Sequence, residues 1–184
     1  MLNILGFAGS LRKDSYNRAL LRAAQKLVPP GEAQLDIFDI GSFPLFNQDQ
    51  ENDRPPVVTE FKARVKRADA ILIVTPEYNY SVPGILKNAS DWASRPYGDN
   101  SFEDKPVAIM GASTGSIGTA RAQYHLRQMC VFINAHPLNK PEIMVSMAAE
   151  KFKNGELVDE ATREKVQEQL GALVAWAKRL RGEG

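Results

Sequence analysis

Along this chain short unbroken apolar runs take turns with longer stretches that carry one apolar face. Residues 2–8 predict a buried strand. A helix follows from about Tyr16 to Val28, with Ala19, Leu20, Ala23 and Leu27 on one side. Pro29-Pro30-Gly31 stops it, and Gln34–Asp39 reads as a second strand. The polar stretch Gly41–Pro56 is too short to separate two cores and reads as a loop; connections of that length are uncommon in compact domains and often functional. Val57–Arg67 predicts a helix, and Ala70–Val74, apolar on both faces, a central parallel strand. Thr75–Val82 then leads to Pro83, at the first position of a helix carrying Ile85, Leu86, Ala89 and Trp92. Pro106–Gly111 predicts a fourth strand, and the glycine-punctuated loop Ala112–Gly118 enters a helix with Leu126, Met129, Cys130 and Ile133. Pro141–Val145 predicts a fifth strand and residues 159–181 a last helix, with Val166, Leu170, Leu173, Val174, Ala177 and Leu180 on one face.

Strands alternating with helices give an α/β class with a five-stranded parallel sheet. Right-handed crossovers put helices on both faces, a three-layer sandwich. At 184 residues the chain is expected to form one domain, 1–184. Ligands of such sheets bind at the carboxyl ends of the strands, near the point where strand order reverses. The loops after strands one, three and four are therefore expected to meet.

Those three loops are chemically distinctive. After the first strand, Gly6 and Gly9 permit a sharp turn, Ser10 and Ser15 offer hydroxyls, Arg12 a fork of donors and Asn17 an amide. The next helix starts here, so its free N–H groups and positive dipole end face the same space, which suits a terminal phosphate. A serine-rich helix cap with a surface arginine also accounts for these residues. Neither GxxxxGKS/T nor GxGxxG is present, which disfavours a P-loop and weakens a dinucleotide reading. After the third strand, Pro76-Glu77-Tyr78-Asn79 lies in a loop stiffened by prolines, with two tyrosines able to flank a planar ring or simply to pack. After the fourth strand, Ser113 and Gly115 sit in a small polar loop that allows close backbone approach, as a generic helix entry also does.

Bulk properties narrow the partners. A net charge of +1 speaks against nucleic acid or an anionic membrane, and mildly against an acidic electron carrier. No apolar stretch approaches the roughly 20 residues needed to span a bilayer, and no signal-like leader precedes the first strand. With one cysteine, Cys130, no internal disulfide can form, and no Cys/His cluster suggests a metal. A reducing cytoplasm is the expected compartment. His125, His136, Trp92 and Trp176 read as surface or packing residues, Cys130 as core, and the Lys151–Lys153 and Lys178–Arg181 charges as solvated faces.

In "GSLRKDSYN", "VTPEYNYSVPGILKNASDWASR", "STGSIGTARAQYHLRQ" and "NKPE" the chain resembles the NADPH-dependent FMN reductase family of flavodoxin-like proteins, nearest its bacterial quinone and chromate reductases. The resemblance covers most of the chain and implies a flavodoxin-like fold with non-covalent FMN. It assigns the phosphate to Ser10, Arg12, Ser15 and Asn17, the isoalloxazine to Pro76, Glu77, Tyr78 and Asn79, and a third contact to Ser113 and Gly115. It further implies hydride from NADPH or NADH, acceptors such as quinones, free flavins, azo dyes or chromate, and homodimers or homotetramers. A subunit network near the flavin is matched at Arg95, Tyr124 and Glu142, with Tyr124 a candidate proton source. Asp14 departs from the pattern by placing a carboxylate beside the phosphate residues. The expected activity is an FMN-dependent NAD(P)H oxidoreductase working by a ping-pong cycle with a small-molecule acceptor. The alternative is a flavodoxin-like electron carrier that docks on protein partners.

Overall fold

The computed structural model describes residues 1–183. Strands β1 (Leu2–Ala8), β2 (Ala33–Ile37), β3 (Ala70–Val74) and β4 (Pro106–Ala112) lie parallel in the order β2-β1-β3-β4. The fifth place is shared by two short pieces, β5 (His136–Pro137) and β6 (Ile143–Val145), both paired with β4. The expected single strand Pro141–Val145 is thus corrected to this split edge. Pro137 and Pro141 have no N–H for a ladder, and the chain between Pro137 and Ile143 leaves the sheet before pairing again.

The sheet's two faces explain the strand composition. Ile4, Leu72, Val74 and Met110 pack against α1 (Tyr16–Leu27) and, near the C-terminus, α6 (Glu160–Leu180). Leu5, Phe7, Ile71, Ile73 and Ile109 face α2 (Pro56–Arg67), α3 (Gly84–Ser94) and α4 (Ala120–Phe132). The product is the three-layer flavodoxin-like sandwich expected from the alternating pattern. Several ends shift: β2 stops at Ile37, α2 includes Pro56, and Pro83 is the N-cap of α3 rather than its first turn. Between β6 and α6 the sequence pattern missed a one-turn α5 (Ala148–Lys151) and a hairpin, β7 (Phe152–Lys153) with β8 (Glu156–Leu157).

The long Gly41–Pro56 segment has no strand and one 3₁₀ turn, Gln48–Gln50, but it is firmly attached. Asn88 of α3 accepts from Phe46 N–H at 2.7 Å and donates to Pro44 O at 2.9 Å. The Trp92 indole donates to the same carbonyl at 2.9 Å, and Arg95 donates to Glu51 at 2.8 Å. No described helix is long and apolar enough to cross a membrane.

Candidate functional site

Strand order reverses between β1 and β3, so the loops that follow them part company at that point and leave a crevice. Two backbone bonds set its floor: Gly9 N–H to Val74 O at 2.9 Å, and Thr75 N–H to Met110 O at 2.9 Å. Gly9 is required there, because a Cβ would stand 2.8 Å from Pro83 Cγ. A cavity of about 180 Å³ opens above. The first loop contributes Ser10, Arg12, Ser15 and Asn17 to its lining, the third-strand loop Pro76, Glu77 and Tyr78, and the fourth-strand loop Ser113. Asn79 and Gly115 stand outside that lining.

Ser15 is the N-cap of α1, its Oγ accepting from the N–H groups of Asn17 and Arg18 at 3.2 and 3.3 Å. Ser10 is 5 % exposed and lines the cavity, and its hydroxyl makes no hydrogen bond to another described residue. The Arg12 guanidinium spends one N–H on the Asp14 carbonyl at 3.2 Å and is otherwise exposed. A cavity-lining hydroxyl free of other bonds, an exposed guanidinium and the positive end of a helix form a set that fits a phosphate monoester. Asn17 lines the cavity, and its side-chain amide also bonds the backbone of Ala112, donating one N–H to the carbonyl at 2.9 Å and accepting from the N–H at 2.8 Å, which leaves its second N–H. Asp14 is exposed and lies outside the cavity lining.

On the ring side, Tyr78 and Ser81 exchange backbone hydrogen bonds at 3.1 and 2.9 Å. The two residues between them, Asn79 (φ 50°) and Tyr80 (φ 66°), are both left-handed, as a two-residue type I′ turn requires. Tyrosine is an uncommon choice there. It is held by the Arg121 guanidinium, 3.6 Å from its ring centroid. Arg121 in turn lies 2.6 Å from Glu77, whose carboxylate also accepts from the N–H groups of Arg121 and Ala122 at 3.0 and 3.2 Å. Thr119, the left-handed N-cap of α4 (φ 75°), makes no side-chain cap, and Glu77 fills that role from another loop. Its carboxylate is therefore taken by α4, while the residue's remaining surface faces the cavity. Arg121 carries no signal in the sequence that ties it to the site; 44 residues separate it from Glu77.

The fourth-strand loop is fixed to the segment after β6. Ser113 bonds Val145 O and Ala148 N–H at 2.9 and 3.0 Å, and Gly115 O accepts from Met147 at 3.1 Å. The proposed subunit residues are dispersed within the chain. Arg95 is paired with Glu51 and stacked 3.9 Å over Tyr97, Tyr124 is exposed on α4, and Glu142 lies 4.0 Å from Arg127. His125 is exposed and 2.9 Å from Ser81 Oγ. Cys130 is buried, and burial pushes its thiol up to about 11, out of reach of thiolate chemistry at neutral pH.

The sequence profile described as NADPH-dependent FMN reductase matches residues 2–150. An NAD(P)H-dependent FMN reductase of Pseudomonas aeruginosa is 53% identical over 183 residues, 98% of each chain. A 2-hydroxy-1,4-benzoquinone reductase of a Burkholderia species is 44% identical, covering 96% of this chain and 97% of its own. Among solved structures, the flavoenzyme NAD(P)H:(acceptor) oxidoreductase FerB of Paracoccus denitrificans superposes with a TM-score of 0.89 at 39% identity, covering 97% of this chain and 98% of its own. The chain belongs to the NADPH-dependent FMN reductase family and is an oxidoreductase.

Proposed function

We propose that this protein passes electrons from NADPH or NADH through bound FMN to quinones, by a ping-pong cycle. The observation that supports the reading is the convergence of Ser10, Arg12 and the α1 N-cap Ser15 on one cavity at the end of β1, with the Ser10 hydroxyl and most of the Arg12 guanidinium unengaged by other described residues. These groups hold the phosphate, aided by the positive dipole end of α1. Pro76, Tyr78 and Asn79 on one side and Ser113 and Gly115 on the other flank the isoalloxazine. When bound, FMN supplies the two-electron chemistry. The chain's residues bind and orient it, and no acid or base of the protein is needed to move the hydride. Protons for the acceptor come from solvent, or from Tyr124 where it is exposed on α4. The high identity to a benzoquinone reductase favours a quinone acceptor; chromate and azo compounds are further acceptors of an open flavin face. The active form is a homodimer or homotetramer in which Arg95, Tyr124 and Glu142 meet groups of a neighbouring subunit. The electron-carrier reading is disfavoured by the net charge of +1, since carriers of this fold dock through acidic faces.

The test begins with the flavin spectrum of the purified protein, followed by anaerobic mixing with NADPH. Rapid bleaching, then reoxidation by benzoquinone with parallel double-reciprocal lines, is expected. A colourless protein that declines added FMN sinks the proposal. A yellow one that neither NADPH nor NADH bleaches leaves the carrier, and intersecting lines remove the ping-pong step. Light scattering of the eluting protein reads the subunit number directly.

A further inference from the structure

The phosphate cradle adjoins a second cavity. Arg12, Ser15 and Tyr16 line both, and the second, of about 470 Å³, is bounded by the β7–β8 hairpin. That is within the size range of small-molecule sites, about 300–1,000 Å³. Tyr16 and Phe152, with ring centroids 5.3 Å apart, form an aromatic wall. Arg12, Lys13 and Arg22 surround the space with positive charge, and Arg22 has only a 3.4 Å contact to Gly155 O. Lys13 and the Asp14 carboxylate are exposed and hold no ion pair among the described residues. Glu156 of the hairpin is held by Lys26 at 2.9 Å. A phosphate monoester seated at Ser10 and Arg12 makes no use of this cavity, and Asp14 beside it is a liability.

We propose that the cavity takes the adenylate half of a flavin dinucleotide, so that the protein binds FAD as well as FMN. The proposal rests on the FMN reading above. The first phosphate occupies the α1 cradle as in FMN. The second, joined through the bridging oxygen, meets Lys13 and Arg22, and the purine lies against Tyr16. Asp14 then gains a purpose, because a carboxylate repels phosphate but accepts hydrogen bonds from the hydroxyls of a ribose. Asn154, left-handed (φ 53°) at the hairpin tip beside Gly155 (φ 77°), brings an amide to the rim for the purine edge.

The full chain, stripped of flavin, is titrated calorimetrically with FMN and with FAD. FAD is expected to bind within about tenfold of FMN. Lys13→Ala should weaken FAD by about tenfold, the worth of a charge-assisted hydrogen bond, and FMN by less than about twofold. Asp14→Asn should weaken FAD while FMN binds as tightly as before or tighter, a split that general damage to the loop cannot produce. FAD binding more than about a hundredfold weaker than FMN overturns the proposal. So does an equal loss of both flavins in Lys13→Ala. A chain that binds neither flavin rejects the FMN reading along with this one, and the FMN arm reports that failure separately.

Discussion

Replacing Asn17 separates two roles for one side chain. If its amide were a free phosphate donor, Asn17→Ala would weaken FMN binding and leave the flavin-free protein as stable as before. The geometry predicts the reverse emphasis. β3 pairs with β4 only as far as Met110, because the chain turns away at Thr75-Pro76 and proline has no N–H. Ala112 is the next β4 residue facing that side, and Asn17 meets it with both a donor and an acceptor, in place of the missing strand. Asn17 is 4 % exposed and Ala112 also 4 %, so water cannot replace the lost bonds without rearrangement. Each buried polar group left unsatisfied costs about 1–3 kcal/mol, so Asn17→Ala should destabilise the flavin-free protein by about 2–6 kcal/mol. For a chain of this length that lowers the melting temperature by roughly 5–20 °C, at about 2–4 °C per kcal/mol. Asn17→Asp should be worse than its size suggests, since an oxygen would face the Ala112 carbonyl. The assay is thermal unfolding of flavin-free wild type and variants, followed by circular dichroism, with FMN affinity measured on the same samples. A flavin-free Asn17→Ala protein melting within about 1 °C of wild type, with FMN affinity lost, would refute the argument and return Asn17 to the phosphate.

Arg12→Ala should weaken FMN at least about tenfold in fluorescence titration, because a charged hydrogen bond is worth about 1.5–3 kcal/mol; unchanged affinity means that the phosphate lies elsewhere. Glu77→Ala removes the cap of α4 and should cost about 1–2 kcal/mol in denaturant unfolding, with Glu77→Gln recovering part of it; equal losses in both variants would show that the hydrogen bonds do not matter. Gly111→Ala should yield no folded protein by circular dichroism, since its Cβ would fall 2.0 Å from Thr119 Oγ1 and 2.3 Å from Thr75 O, and a cooperative native melt would contradict this. Lys62, its side chain 4 % exposed, donates to the carbonyls of Ala93, Arg95 and Asp99 at 2.9, 2.6 and 2.7 Å, and burial holds its ammonium at about 8 against 10.5 when unfolded. The unfolded chain then binds more protons between those values, so stability relative to Lys62→Met should rise from about pH 8 towards pH 10.5, and a flat difference across that window would refute the assignment.

Much of the fold was legible because its signals are local. Ala70–Val74 could hardly be anything but a central strand, and Pro29-Pro30-Gly31 anything but a stop. The split fifth strand was not legible, since two-residue β5 carries no periodicity and its pairing depends on β4. The β7–β8 hairpin had a signal that charge concealed: Asn154-Gly155 between Phe152 and Leu157 is a type I′ turn motif, yet Lys151–Lys153 read as a solvated face. At the candidate site, Ser10, Arg12 and Ser15 could be found because a strand end, a glycine turn and a helix start are consecutive in sequence. The Glu77–Arg121–Tyr80 clamp and the Asn17–Ala112 pair join residues 41–95 positions apart, and no spacing rule reaches that far.

The Gly41–Pro56 segment has the length of a lid without the freedom of one. Asn88, Trp92 and Arg95 hold it from successive turns of a single helix, so it can leave its place only if α3 gives up all three attachments. None of its residues lines the candidate cavity, so its release is not a step for which entry to that cavity has to wait. A protease that seeks slack chain should find this stretch, for all its polar residues, a poor place to cut.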